Sequence, residues 1–152
     1  MTSMKKEYIM DGQVYIMKPE SIVSDEVTVK SWDLNKASIE DLSFTSEFKF
    51  TCAKSSRVHG VCGYFDITFK NPNEPTFENV YFTTSLLQKP THWKQCTFIL
   101  EKPFNVEQGE VIQGTITVGR LKRNVRNLKV DISLTRASTN EVLLDNVRYF
   151  VR

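Results

Sequence analysis

The chain has 152 residues, with 20 basic and 18 acidic side chains and a formal net charge of +2. That length supports one domain with a substantial core rather than two, and the balanced charge gives no mandate for nucleic acid or a membrane surface. No apolar run approaches the ~20 residues of a membrane helix, and Lys5, Lys6 and Glu7 interrupt any signal-peptide core.

From the N-terminus, residues 1–10 have mixed character and read as a short helical entry, which Gly12 breaks. Val14 to Met17 is a short extended candidate, and Pro19 to Val23 fits a single helical turn with proline in its first turn. Glu26 to Trp32 alternates Val27 and Val29 with Thr28 and Lys30, the pattern of a strand. Ser38 followed three residues later by Asp41 predicts a capped helical turn.

Beyond Leu42 the chain reads as nearly all β. Phe44, Phe48, Phe50 and Cys52 share one parity. Ser55-Ser56 is a turn. Arg57 to Lys70 reads as one long strand, with His59, Val61, Phe65, Ile67 and Phe69 on one side and Cys62 and Tyr64 on the other. Gly60 and Gly63 predict bends or close backbone approach within it. Asn71 to Pro75 is a loop, and Val80, Phe82 and Thr84 form the next strand.

Lys89-Pro90-Thr91-His92-Trp93-Lys94-Gln95 follows. Pro90 stiffens the backbone and disfavours helix at Lys89. The segment sets a hydroxyl, an imidazole and an indole side by side where a loop enters the strand at Cys96. The bland alternative makes Trp93 a core residue and His92 a solvated loop residue.

Ile112, Gly114, Ile116 and Val118 then line one side of a strand. Arg120, Lys122, Arg123 and Arg126 cluster in a connection that reads as a charged hairpin tip rather than a phosphate-binding stripe. Leu128, Val130, Ile132 and Leu134 alternate with Lys129, Asp131, Ser133 and Thr135, the cleanest half-buried strand. Ala137 to Asn140 turns, and Val142 to Val151 is a final strand. Roughly eight short-spaced strands with almost no helix predict an all-β antiparallel barrel, closed or open, or a sandwich.

The catalytic inventory is thin. Cys52, Cys62 and Cys96 lack zinc-type spacing and read as reduced, buried thiols of a cytosolic or nuclear protein. No glycine-rich nucleotide loop is present. His59 reads as a core or groove residue rather than a ligand, and nothing in the sequence places Asp131 beside a histidine.

A family resemblance extends this reading. Thr91-His92-Trp93-Lys94-Gln95 resembles the Thr-His-Trp loop of the protein arginine N-methyltransferases, most like the type I enzymes. Asp41 to Ser46 with Phe48, Val58-His59-Gly60 with Tyr64 to Ile67 and Phe69, and Ile112 with Gly109-Glu110 and Gly114 resemble further family strands. The approach to the loop departs from the family: after Ser85, Leu86 and Leu87 stand where a small residue and proline are usual. The resemblance covers essentially the whole chain.

It implies the C-terminal β-barrel of an enzyme whose S-adenosylmethionine-binding Rossmann-like domain, glutamate-bearing substrate loop and dimerisation arm are not among these residues. The chain is then a single barrel domain, 1–152, and a truncated product, partial gene model or isolated domain of a longer protein, with Met1 matching an internal methionine. In the whole enzyme the resemblance implies that His92 faces the active site and helps take the guanidinium proton. It makes Trp93 a wall of the arginine pocket and gives Thr91 a supporting hydrogen bond. Lys94 and Gln95 have a structural role. The expected substrate is an arginine-bearing protein; the expected location is cytoplasm or nucleus. Alone, the chain is expected to bind no cofactor, metal, nucleic acid or membrane, to be inactive, and to self-associate through open strand edges. The competing readings are a non-catalytic module that engages a methyltransferase or another protein, and a lipocalin-like ligand barrel.

Overall fold

The computed structural model describes residues 9–70 and 79–152. The expected Asn71–Pro75 loop and most of the expected helical entry lie outside the described residues; Ile9 and Met10 are helical. The strands are β1 (Gln13–Tyr15), β2 (Phe44–Thr51), β3 (Ser56–Gly63), β4 (Asp66–Phe69), β5 (Val80–Thr83), β6 (Gln95–Val106), β7 (Val111–Arg120), β8 (Leu128–Arg136) and β9 (Val142–Val151). Short 3-10 turns cover Pro19–Ser21 and Glu40–Leu42.

All strand pairs are antiparallel and form three sheets, ordered β1-β6-β3, β2-β7-β8-β9 and β4-β5. The fold is all-β and barrel-like, but among the described residues the sheets do not close. Single bridges, Asp11 to Phe150 and Ser24 to Cys52, stand where continuous ladders would be needed. Edges therefore remain on both larger sheets.

The core is filled from β6 (Phe98, Val106) and from β7, β8 and β9 (Ile112, Val130, Ile132, Leu134, Tyr149), with Cys52 beside them. The alternation of β2 and β8 explains why: each presents one apolar row, and Ile132 lies in register between Ile116 and Val147. Tyr149 pins the sheets together. Its ring lies 5.2 Å from that of Phe98, and its hydroxyl donates to the Ile99 carbonyl at 3.1 Å.

Arg136 clamps one end of this core. It pairs with Glu110 and Glu141 and donates to the Asn105 carbonyl, tying the β6–β7 turn to the β8–β9 turn. Asp131, buried on β8, is held by Arg148 through two hydrogen bonds of 2.7 and 2.9 Å, so its partner is an arginine rather than a histidine. The expected Ser38–Asp41 pairing is present: Asp41 accepts from both the backbone and the hydroxyl of Ser38.

Three expectations fail for identifiable reasons. The strand expected over Arg57–Lys70 divides at Tyr64 and Phe65, because Phe65 exchanges hydrogen bonds with Thr84 and the chain passes from pairing with β6 to pairing with β5. His59 is exposed: the β3–β6 register skips between Val58 and Gly60, and this bulge turns His59 out while Val58 and Val61 both reach the core. The bulge brings Gly60 so close that a Cβ there would lie 2.9 Å from the Phe98 carbonyl oxygen. Finally, Glu26–Trp32 forms no strand. After Asp25 exchanges two hydrogen bonds with Thr51, the chain leaves the edge of β2 and finds no ladder partner among the described residues.

Candidate functional site

The loop between β5 and β6 is built from its roots. Thr84, Ser85 and Leu86 are buried. Thr84 donates its N–H to the Phe65 carbonyl, and its hydroxyl lies 3.0 Å from both the N and O of Phe65. Ser85 donates to the Glu26 carboxylate at 3.0 Å, and its oxygen accepts the Leu87 N–H. Tyr64 belongs to the same cluster. Burial, with the Glu26 carboxylate beside it, pushes the Tyr64 hydroxyl up to about 12, so it stays protonated and acts as a donor. At the other root, Gln95 is 2% exposed and begins β6. The structural role expected for it holds.

Between these roots the chain emerges. Lys94 donates its N–H to the Thr91 carbonyl at 3.3 Å and has φ of 57°, the left-handed region that a non-glycine residue occupies at a cost. That turn separates the inward Gln95 from the outward Trp93. Trp93 is 57% exposed, so it is not core. Its ring meets Phe82 at 5.2 Å, Phe65 at 6.3 Å and His92 at 5.8 Å, all nearly edge-on. His92 is exposed beside it. The hydroxyl of Thr91 is buried and has no hydrogen-bond partner among the described residues. Among the described residues the Thr91 carbonyl, rather than its hydroxyl, closes the turn.

The structure thus brings His92 and Trp93 together with Phe65 and Phe82, which composition alone did not single out. The signal that could have found them was an aromatic at the break before β4, Phe65, and another on β5, Phe82, in the segments that precede the loop. Phe69, Val80 and Leu87 extend the exposed apolar surface over the β4–β5 hairpin. A two-stranded sheet is marginal alone in water, so this face is suited to being covered.

The chemistry is that of a rigid aromatic corner beside an imidazole. An exposed indole face suits a planar cation, and an imidazole can accept a proton. The three cysteines are free thiols. All are pushed up by burial, Cys96 to about 11, which disfavours the thiolate that nucleophilic or metal chemistry needs. Among the described residues no group of three metal-ligating side chains occurs. Around the loop the described residues include no glycine-rich turn of the kind that cradles a nucleotide, and the Asp66 carboxylate accepts the Thr83 hydroxyl. Two shallow clefts lie elsewhere, along Phe44, Arg120 and Lys129 and along Phe48, Gln113 and Ser133.

An unclosed antiparallel fold with one aromatic–histidine loop defines a barrel-like subdomain of a larger class of proteins. The chain belongs to the arginine methyltransferase family: residues 1–139 match the arginine methyltransferase oligomerization subdomain. It is 32% identical over 133 residues to protein arginine N-methyltransferase 1.1 of Arabidopsis thaliana, covering 88% of this chain and 33% of that protein. It is 35% identical over 134 residues to protein arginine N-methyltransferase 8-B of Danio rerio, covering 88% and 31%. The chain thus spans about a third of the length of these relatives. Among solved structures, it resembles Arabidopsis thaliana protein arginine methyltransferase 10 with a TM-score of 0.85 at 26% identity, over 97% of this chain and 44% of that one. Its fold also matches a chain of the Trypanosoma brucei PRMT1 enzyme–prozyme heterotetrameric complex with AdoHcy, with a TM-score of 0.87 at 24% identity, over 97% and 46%.

Proposed function

We propose that this chain is the substrate-facing and structural half of a protein arginine N-methyltransferase, and that His92 and Trp93 are its contribution to the active site. The observation that carries this reading is the exposed Trp93, braced edge-on by Phe65 and Phe82 with His92 beside it. Trp93 keeps 57% of its surface exposed in this setting, and a guanidinium stacked on an accessible indole face gains ~0.5–2 kcal/mol. His92 is next to that position and serves as acceptor for the proton the guanidinium must lose. The rigid roots at Thr84 and Gln95 hold both side chains in place, which is how a loop on strands gains precision.

S-adenosylmethionine is the methyl donor that family membership implies. Donor binding belongs to another part of a longer protein, and the apolar hairpin face with Phe69, Val80 and Leu87 is the surface such a part would cover.

That same face and the family's oligomerization role favour a second reading, in which the chain is a non-catalytic module that engages other proteins. The deciding experiment incubates the natural polypeptide that carries these residues with labelled S-adenosylmethionine and an arginine-rich peptide. Label on guanidinium nitrogen supports the first reading. Stable protein complexes without any arginine methylation would replace it with the second.

A further inference from the structure

The loop's position is fixed by a residue that touches none of its exposed groups. Gln95 is 2% exposed and uses both ends of its amide. Its Oε1 accepts the Met17 N–H at 2.9 Å, and its Nε2 donates to the Thr84 carbonyl at 2.8 Å. Met17 follows β1, whose residues Gln13, Val14 and Tyr15 pair with Thr97, Cys96 and Gln95. Thr84 in turn holds both backbone groups of Phe65, whose ring meets Trp93. One buried amide therefore joins three segments: the N-terminal strand, the end of β5 where the loop starts, and the start of β6 where the His92–Trp93 loop ends.

We propose that Gln95 is a positioning residue that couples the N-terminal segment Gln13–Met17 to the orientation of Trp93. The physical case rests on cost. A buried amide with one partner lost leaves an unpaired donor or acceptor, so displacement of Met17 is resisted by, and transmitted to, the Gln95 side chain. Only Lys94 lies between Gln95 and Trp93, and its left-handed backbone leaves little slack. A shift of the N-terminal segment therefore reaches the aromatic corner by two routes, through Lys94 and through Thr84–Phe65. The inference deepens the proposed function, since it names what sets that site's geometry, but the coupling itself can be measured without any methyl transfer.

The chain has two tryptophans, so Trp32→Phe leaves Trp93 as the single indole reporter. In that background, Gln95→Met removes both hydrogen bonds at similar volume, and Met17→Pro removes the N–H that Gln95 accepts while also fixing φ at position 17 and restricting Ile16. Trp93 is 57% exposed, so full release raises its accessibility to acrylamide by at most about 1.8-fold. We expect each variant to raise the quenching constant about 1.5-fold and to weaken the near-ultraviolet dichroism of Trp93. We expect the double variant to equal the stronger single one, because both act through one side chain. Met17→Ala, which keeps the N–H, should behave like the parent. Unchanged quenching in Met17→Pro overturns the coupling, and so does an effect in Met17→Ala of the same size. Should Gln95→Met fail to fold, the two Met17 variants decide the matter alone, since Met17 lies outside the core.

The same variants in a polypeptide that methylates arginine should lower kcat more than they raise KM for the peptide. Release of Trp93 in the variants, with no methyl transfer even by the parent polypeptide, supports the coupling and refutes the proposed function. Methyl transfer with Trp93 unmoved in Met17→Pro refutes the coupling alone.

Discussion

Tyr149 offers the sharpest test of how the two larger sheets are held together. It is fully buried, and its hydroxyl spans from β9 to the Ile99 carbonyl on β6. Burial, with a smaller contribution from Glu101, pushes the hydroxyl from the ordinary 10.0 up to about 12. The folded chain therefore holds this proton more tightly than the unfolded chain does. Its stabilising contribution is fully present below about pH 10 and is lost as pH rises through about 12. At 1.36 kcal/mol per decade of affinity, that loss is on the order of 3 kcal/mol. Tyr149→Phe keeps the ring against Phe98 and deletes the hydroxyl. It should cost about 1–2 kcal/mol near neutrality, where a buried hydrogen bond is lost. It should then remove most of the difference between neutral and alkaline stability that this group generates. Urea denaturation of parent and variant across that pH range measures both effects. Tyr64, raised for similar reasons, stays in both proteins and cancels in the comparison. Parallel loss of stability in parent and variant as pH rises would refute the assignment of Tyr149 as the alkaline-sensitive pin.

Further outcomes follow from the ion pairs and the open edges. Arg136 holds the Glu110 carboxyl, and Arg148 that of Asp131, below their ordinary values of 4.5 and 3.8. Their stabilisation is present above those values and drains as pH falls through the lowered folded ones. Arg136→Met should therefore flatten the acid side of the stability profile and cost roughly 1–2 kcal/mol at neutrality, as partly exposed charge-assisted bonds do; a profile as steep as the parent's would contradict this. The unclosed edges of β2, β3 and β9 should pair between molecules. Light scattering on a dilution series should then show mass rising with concentration, and a concentration-independent monomer would count against edge pairing. Calorimetry of the chain alone with S-adenosylmethionine should show no micromolar binding, and a saturable isotherm would overturn the assignment of donor binding to other residues.

Legibility in the sequence tracked how local the cause was. The β8 row of Leu128, Val130, Ile132 and Leu134 and the β2 row from Phe44 to Cys52 were readable because alternation and burial share a period of two. The loop at His92 and Trp93 was readable from its residue types and its family likeness. What failed depended on partners. A bulge at His59 reversed the parity of one strand, the chain changed partner from β6 to β5 around Phe65, and Glu26–Trp32 pairs with no strand among the described residues. No local pattern announces any of these. Gln95 was readable as structural, but its two bonds reach 78 and 11 residues away along the chain. Thr91 shows the converse limit: a hydroxyl in a loop promised a hydrogen bond, and the backbone carbonyl closed the turn instead.

The proposed role of His92 and Trp93 stands or falls on kcat for arginine methylation by the polypeptide carrying this chain, compared between the parent, His92→Ala and Trp93→Ala, with thermal unfolding recorded beside it. His92 is exposed, so His92→Ala should leave stability within about 1 kcal/mol. Trp93→Ala gives up a half-buried ring and should cost about 1–3 kcal/mol. The account predicts a fall in kcat of about 100-fold or more for His92→Ala, the scale of a lost general base, and a comparable loss for Trp93→Ala that exceeds what its unfolding explains. Unchanged kcat in both variants, or losses that merely follow their unfolding temperatures, would contradict it.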